Sequence, residues 1–222
     1  MSLNLSKPIL YLITPGATAE TTTPADEEFQ EILHQVSAAV AGGIQLIQLR
    51  EKNLTARVLF ELTERVMEIV CGTATKVLVN DRADIAAGAG AEGVHLTVRS
   101  LEVNVVRKTF GPDLLIGVST HSDIEARLAR DAGADFVVFG PVFPTRSKKD
   151  YGPPLGIGKL SEVVHELAPF PVLAIGGVSK DNAGECLRAG ASGVAAITLF
   201  TEPETLKTNA EMVRKLFTGV VR

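Results

Sequence analysis

The stretch Phe139-Gly140-Pro141-Val142-Phe143-Pro144-Thr145-Arg146-Ser147-Lys148-Lys149 carries the densest chemistry in the chain. The run from Asp135 to Phe139 is largely apolar and reads as a buried strand, and Gly140-Pro141 stops it sharply. The hydroxyls of Thr145 and Ser147 and the cations Arg146, Lys148 and Lys149 follow at once. Hydroxyl and ammonium donors set directly after a buried strand suit an anion held at the carboxyl edge of a sheet. A solvated basic loop has the same composition, so the surrounding elements must decide between the two readings.

Those elements repeat. Short apolar runs occur at Pro8 to Thr14, Ile44 to Leu49, Lys76 to Val79, Gly93 to Leu96, Leu114 to Val118, Asp135 to Phe139, Val172 to Ile175 and Val194 to Ile197. A helical pattern follows each. After Asp26, which can cap a helix, Phe29, Ile32, Leu33, Val36, Ala39 and Val40 recur at helical spacing, as do Val58, Leu62, Val66, Ile69 and Val70 after the second run. Further helices are predicted over 82–90, 101–110, 122–133, 157–168, 179–190 and 203–217. Strict β-then-α alternation implies parallel strands with right-handed crossovers. Eight such units without a linker predict an α/β fold, a single (β/α)8 TIM barrel over 1–222. An open doubly wound sheet is the rival, but no G-x-G-x-x-G follows the first strand. The turns Ala132-Gly133-Ala134-Asp135 and Ala189-Gly190-Ala191-Ser192 repeat one helix-to-strand junction, as a repeated unit should.

Composition narrows the ligand. The chain has 222 residues, 45% of them hydrophobic, so one sizeable core is within reach. A formal net charge of −4 argues against a nucleic-acid or anionic-membrane partner, which needs a broad basic face. The cations at 146 to 149 are thus a local feature that favours a small anionic ligand. Cys71 and Cys186 lie far apart, and the four histidines show no metal-ligand spacing, so neither a disulfide framework nor a zinc site is expected. No run approaches the length that spans a bilayer and no signal pattern opens the chain, so a cytoplasmic protein is expected.

In a barrel, polar residues at the carboxyl ends of strands converge on one mouth. In order, those ends carry Gln48, Arg50 and Lys52; Asn80 and Asp81; His95; Ser119 and His121; Thr145, Ser147 and Lys148; Gly176-Gly177; and Ile197-Thr198. The set holds hydroxyls, amides, cations and one carboxylate, but no Ser-His-Asp or Cys-His arrangement and no carboxylate pair. Phosphate-centred chemistry fits better than hydrolysis. Gly176-Gly177 lets backbone approach a ligand, and its amides with those near Ile197-Thr198 can cradle a monophosphate. Some of these residues also have purely structural readings. Asp81 can cap a helix over 82–90, Asp84 can pair with Arg82, Arg50 can serve a surface salt bridge, and His95 can hydrogen-bond inside the barrel.

Several motifs in register resemble a known family. Gln48-Leu49-Arg50-Glu51-Lys52, Val79-Asn80-Asp81-Arg82-Ala83-Asp84-Ile85-Ala86, Gly93-Val94-His95-Leu96, Gly117-Val118-Ser119-Thr120-His121, Gly140 through Lys148 and Ala174-Ile175-Gly176-Gly177 are similar to thiamine-phosphate synthase and its relative, the thiazole tautomerase. The resemblance runs from about Ile9 to Thr198. It implies transfer of a pyrimidinylmethyl group from its diphosphate to a (carboxy)thiazole phosphate, with pyrophosphate leaving. By position, Gln48, Arg50, Lys52, Asn80, Ser119 and Lys148 would hold the pyrimidine diphosphate. Thr145, Ser147, Gly177, Ile197 and Thr198, with Gly176, would hold the thiazole phosphate, and Asp81 would bind Mg2+. Lys148, Ser119 and His121 are the catalytic candidates.

One segment departs from the family pattern. After the fourth-strand His-Leu the synthases typically carry Gly-Gln-x-Asp, and that Asp is a second magnesium ligand. Here Thr97-Val98-Arg99-Ser100 stands instead, with Ser100 in place of the Asp. A serine hydroxyl is a poor Mg2+ ligand. Either Arg99 neutralises the diphosphate directly while Asp81 holds a single ion, or the diphosphate site is lost and the protein is a tautomerase with His121 as proton shuttle. A non-catalytic thiamine-phosphate binder is a third reading. A homodimer is compatible with exposed barrel helices, and the 146–155 loop could close as a lid.

Overall fold

A computed structural model describes residues 7–145 and 153–218. Eight strands alternate with eight helices: β1 Ile9–Ile13, α1 Glu27–Ala41, β2 Leu46–Leu49, α2 Ala56–Val70, β3 Lys76–Asn80, α3 Ala83–Gly88, β4 Gly93–Leu96, α4 Val103–Phe110, β5 Leu115–Thr120, α5 Asp123–Asp131, β6 Phe136–Phe139, α6 Gly156–Leu167, β7 Val172–Ile175, α7 Ala183–Arg188, β8 Gly193–Ala196 and α8 Pro203–Thr218. A 3-10 turn, Thr198–Phe200, lies between β8 and α8. The strands pair in parallel and in sequence order, and β8 closes on β1 through Ile9↔Gly193 and Leu12↔Ala196. This is the expected closed (β/α)8 barrel.

Two apolar layers hold it. Period-2 alternation along each strand sends Leu10, Leu12, Val77, Val79, Val137 and Phe139 outward, against Phe29, Val36, Leu62, Leu160 and other helix residues. The intervening positions Ile9, Tyr11, Ile13, Leu46, Leu78, Phe136, Val138, Leu173 and Ala195 fill the lumen. Filling a barrel lumen with bulky side chains requires small ones opposite. Gly117 is one of these, because a Cβ there would enter the Phe136 ring.

Element ends differ from the sequence reading in places with local causes. Asp26 stands at the N-cap of α1, yet its carboxylate makes no capping bond. It accepts instead from Thr23 N and Oγ1, at 2.7 and 2.9 Å, which holds its carboxyl below the usual range. The expected helix over 82–90 shortens to α3, with Arg82 rather than Asp81 at its N-cap. The one over 179–190 shortens to α7, because Ser179 N donates to Asn182 Oδ1 in a side-chain turn before the helix begins. Among the described residues no helix is long and apolar enough to cross a membrane, and both cysteines are free thiols.

Candidate active site

The barrel mouth is built on the same alternation that fills the lumen. Gln48 lies next to last in β2, two residues after inward-facing Leu46, and Asn80 ends β3 two after Leu78. His95 and Ser119 take the corresponding places on β4 and β5, with His95 paired to Asn80 and to Gly117. Strands β2 to β5 therefore end in polar side chains, while Val138, Ile175 and Ile197 on the opposite side pack on the lumen core. Among the described strand-end residues, one half of the mouth is polar and the other apolar.

The polar half is a continuous hydrogen-bond chain. Gln48 Nε2 donates to Asn80 Oδ1 at 2.9 Å, and Asn80 Nδ2 donates to Asp81 Oδ2 at 2.9 Å. Ser100 Oγ donates to the other carboxylate oxygen of Asp81, and Ser100 also bonds Thr97 Oγ1 at 3.0 Å and accepts from Thr97 N at 2.7 Å. Asp81 has a φ of 59°, the one positive value for a non-glycine residue among those described. Aspartate tolerates this region better than most side chains, and here it turns the carboxylate toward Asn80 and Ser100. The helix-cap reading of Asp81 is thereby corrected. Ser100, which stands in the segment that departs from the family pattern, positions the carboxylate.

Two cations follow Gln48 at the end of β2. Arg50 is half-buried and Lys52 exposed, and neither side chain has an ion pair or hydrogen bond among the described residues. The salt-bridge reading of Arg50 is not met there. Its main-chain N–H is fixed, donating to buried Thr14 Oγ1 at 2.8 Å. Between the two cations Glu51 turns inward, 2% exposed. It accepts from Thr18 Oγ1 at 2.8 Å and from Gly16 N at 3.1 Å, tying the β1–α1 loop to the end of β2. Glu51 had no role in the sequence reading, because nothing in a linear Arg-Glu-Lys tells which charge is buried. Arg82, by contrast, pairs with Asp84 as expected, Nε to Oδ1 at 2.8 Å, which lowers the Asp84 carboxyl. Arg99 is exposed, its N–H on Thr97 Oγ1 at 3.3 Å.

His121 follows β5. Its main-chain N–H donates to Glu125 Oε2 at 2.6 Å, and its Nδ1 lies 3.4 Å from the same oxygen. Ser122 accepts from Glu125 N at 3.2 Å, so the Ser122-x-x-Glu125 pattern that starts α5 also orients the histidine. Gly176 and Gly177 have φ of 91° and 64°. The room left by their missing side chains is taken by Pro141, Phe143 and Pro144, which a Cβ would strike. Glycine at both positions is thus required by this loop-on-loop packing. Thr145 is half-buried at the end of the described loop, and Ile197 and Thr198 open the 3-10 turn after β8. Ser147 and Lys148, with Arg146 and Lys149, lie outside the described residues, as does most of the 146–155 loop.

For a divalent ion, the donor set among the described residues offers one carboxylate, Asp81, at the polar half of the mouth. Among the described residues there is no group of three or more His, Cys, Asp or Glu side chains that could hold a metal. Magnesium is commonly bound through one or two carboxylates plus substrate phosphates and water, and a single aspartate fits that mode.

A family model described as thiamine monophosphate synthase matches residues 10–200. A thiamine-phosphate synthase of Anaeromyxobacter dehalogenans is 47% identical over 163 residues, covering 73% of this chain and 72% of its own. One of Roseiflexus is 40% identical over 190 residues, covering 86% and 77%. Among solved structures, a thiamine phosphate pyrophosphorylase from Pyrococcus furiosus superposes with a TM-score of 0.79 at 32% identity, covering 96% of this chain and 97% of that one.

Proposed function

The chain belongs to the thiamine monophosphate synthase family, and from that premise we propose how its own residues carry the synthase reaction. The enzyme is a transferase of thiamine biosynthesis. The bond between the pyrimidinylmethyl carbon and its diphosphate oxygen breaks, and the thiazole nitrogen lone pair forms the new carbon–nitrogen bond. Pyrophosphate departs with the bonding pair, and thiamine phosphate remains. The observation that carries the assignment is the chain Gln48–Asn80–Asp81–Ser100, with Arg50 and Lys52 following Gln48 and unpaired among the described residues.

Breaking that bond places negative charge on the leaving diphosphate, and cations already fixed there stabilise the developing charge more than the ground state. Arg50 presents a planar fork suited to two phosphate oxygens, and Lys52 a mobile point charge. Lys148 and Arg99 complete the cationic lining in this reading. Gln48 and Asn80 orient each other and leave amide groups for the pyrimidine, and Ser119 donates to the diphosphate. Asp81 would hold Mg2+ together with diphosphate oxygens. Bound there, Mg2+ would add charge neutralisation at the leaving group. On the opposite side, Thr145, Ser147, Gly176, Gly177, Ile197 and Thr198 hold the thiazole phosphate, and the apolar wall of Ile175 and Ile197 takes the ring. Bringing the thiazole nitrogen into line behind the breaking bond supplies the proximity contribution. His121, held by Glu125, borders the site. No observation favours the tautomerase reading over the synthase.

The test is thiamine phosphate formation from the pyrimidinylmethyl diphosphate and a thiazole phosphate, with and without Mg2+. Magnesium-dependent product is expected. Thiazole phosphate binding without product would reject the synthase assignment. Two smaller proposals accompany it. The enzyme works in the cytoplasm, where both substrates would be met. It also forms a homodimer, a reading supported by Val98, Leu101, Val105, Ile124 and Leu128, the large apolar side chains most exposed among those described. Sedimentation at the monomer mass would reject the dimer.

A further inference from the structure

Tyr11 lies in the middle of β1, fully buried inside the barrel, its ring centroid 5.7 Å from those of His95 and Phe136. Its hydroxyl is 3.0 Å from His95 Nδ1, and His95 Nε2 is 2.9 Å from Ser119 Oγ. β1 and β4 are not neighbours in the barrel, so the first of these contacts spans the lumen. Around it stand Ile9, Ile13, Leu46, Leu78 and Val138. A phenol and an imidazole in such surroundings cost free energy unless each polar atom is paired. The arrangement runs from the core to the mouth and ends on a residue that the proposed reaction uses.

The direction of the protons along this line can be argued. Burial raises the Tyr11 phenol well above its ordinary pKa, so it keeps its proton. Among the described residues its hydroxyl has His95 Nδ1 as its hydrogen-bond partner. A buried O–H needs an acceptor, so Tyr11 donates and Nδ1 is the unprotonated ring nitrogen. The imidazole proton then sits on Nε2 and is donated to Ser119 Oγ. That bond occupies a lone pair of Ser119 and leaves its own O–H to point into the mouth. The reverse tautomer would have Ser119 donating to Nε2 and offering only lone pairs to an anion. An imidazolium would leave the phenol proton without an acceptor.

We propose that Tyr11 and His95 are positioning residues that set Ser119 as a hydrogen-bond donor to the substrate diphosphate. The proposal rests on the assignment of Ser119 to the diphosphate made above, and its test separates the two. The first measurement is the 15N spectrum of histidine-labelled enzyme without substrate at pH 7. The chain has four histidines, and the His95 signals are assigned by their loss in His95→Gln. A neutral imidazole protonated at Nε2 is expected. An Nδ1–H tautomer or an imidazolium would overturn the proposal whatever the substrate.

The second measurement is kinetic. Tyr11→Phe keeps the ring and is expected to raise KM for the pyrimidine diphosphate about tenfold, the range for a hydrogen bond to a charged group, with KM for the thiazole phosphate within about twofold of the parent. His95→Gln, whose amide can still donate toward Ser119, should hold KM closer to the parent than His95→Leu does. Because Tyr11 acts through Ser119, Tyr11→Phe should add nothing in a Ser119→Ala background. Additive losses, or an unchanged KM in Tyr11→Phe, would overturn the proposal. The Nε2–H tautomer with an unchanged KM in Ser119→Ala would remove Ser119 from the diphosphate site and the proposal with it, leaving the synthase assignment intact.

Discussion

Arg50, Glu51 and Lys52 are adjacent in sequence and opposite in purpose, which makes them the clearest case at the scale of single residues. Glu51 is buried and saturated by Thr18 and Gly16, so its charge is committed to the loop it clamps. Replacing it with alanine strands those donors, and urea unfolding should show a loss of about 1–3 kcal/mol. Arg50 has no side-chain partner among the described residues, so the described fold does not depend on its guanidinium. Arg50→Ala should leave stability within about 0.5 kcal/mol of the parent, while KM for the pyrimidine diphosphate rises at least tenfold, as expected for losing a charged hydrogen-bonding fork. Steady-state kinetics and urea curves on the two variants should therefore give opposite patterns.

At the scale of elements, the two ends of the barrel divide the labour. The amino-terminal end of β6 is fastened by Arg107 of α4, whose guanidinium reaches Asp135 at 2.8 Å and the carbonyls of Gly111, Pro112 and Gly133. Asp135 in turn accepts from Ile116 N at the start of β5, also at 2.8 Å. Both side chains are largely removed from solvent. Arg107→Ala leaves a buried carboxylate without its counter-charge and should cost about 3 kcal/mol or more. Adding Asp135→Asn should recover part of that loss, which a double-mutant cycle by thermal unfolding would read. Within the lumen, Gly117 and Phe136 are complementary in size. Gly117→Ala should destabilise by roughly 1–3 kcal/mol from overpacking, and Phe136→Leu in the same chain should relieve it. The Arg107–Asp135 pair belongs to the stability end of the barrel, so the catalytic constants of the folded variants at those two positions should change little.

For the whole molecule, closure of β8 on β1 removes both sheet edges, and the helices seal the outer layer. Cys186 of α7 shows how complete that seal is. Burial, with Glu185 beside it, pushes its thiol up to about 12, whereas Cys71 is exposed at the end of α2. Alkylation of the native protein at pH 8 should modify Cys71 and spare Cys186, and in denaturant both should react. The Cys186 thiol is raised above its unfolded value of about 8.5, so its contribution to stability is complete below that pH. It declines as pH rises toward the folded value. Mass spectrometry after timed alkylation checks the first expectation, and unfolding midpoints between pH 7 and 10 check the second.

Much of this was present in the one-dimensional pattern, for a physical reason. Apolar periodicity, Gly-Pro stops and strict strand–helix alternation are local consequences of backbone geometry, and together they determined the barrel, its strand order and the residues at its mouth. Gln48, Asn80 and Ser119 could be placed there because a period of two along a strand decides which side chains face inward. Contacts across the lumen and between loops had no such local signature. That Tyr11 reaches His95 from a strand on another side of the barrel, that Glu51 rather than Arg50 turns inward, and that Ser100 holds Asp81 in a left-handed conformation all depend on residues brought together by closure of the sheet. Packing and the pairing of buried polar atoms decided those, and only the tertiary structure specifies both.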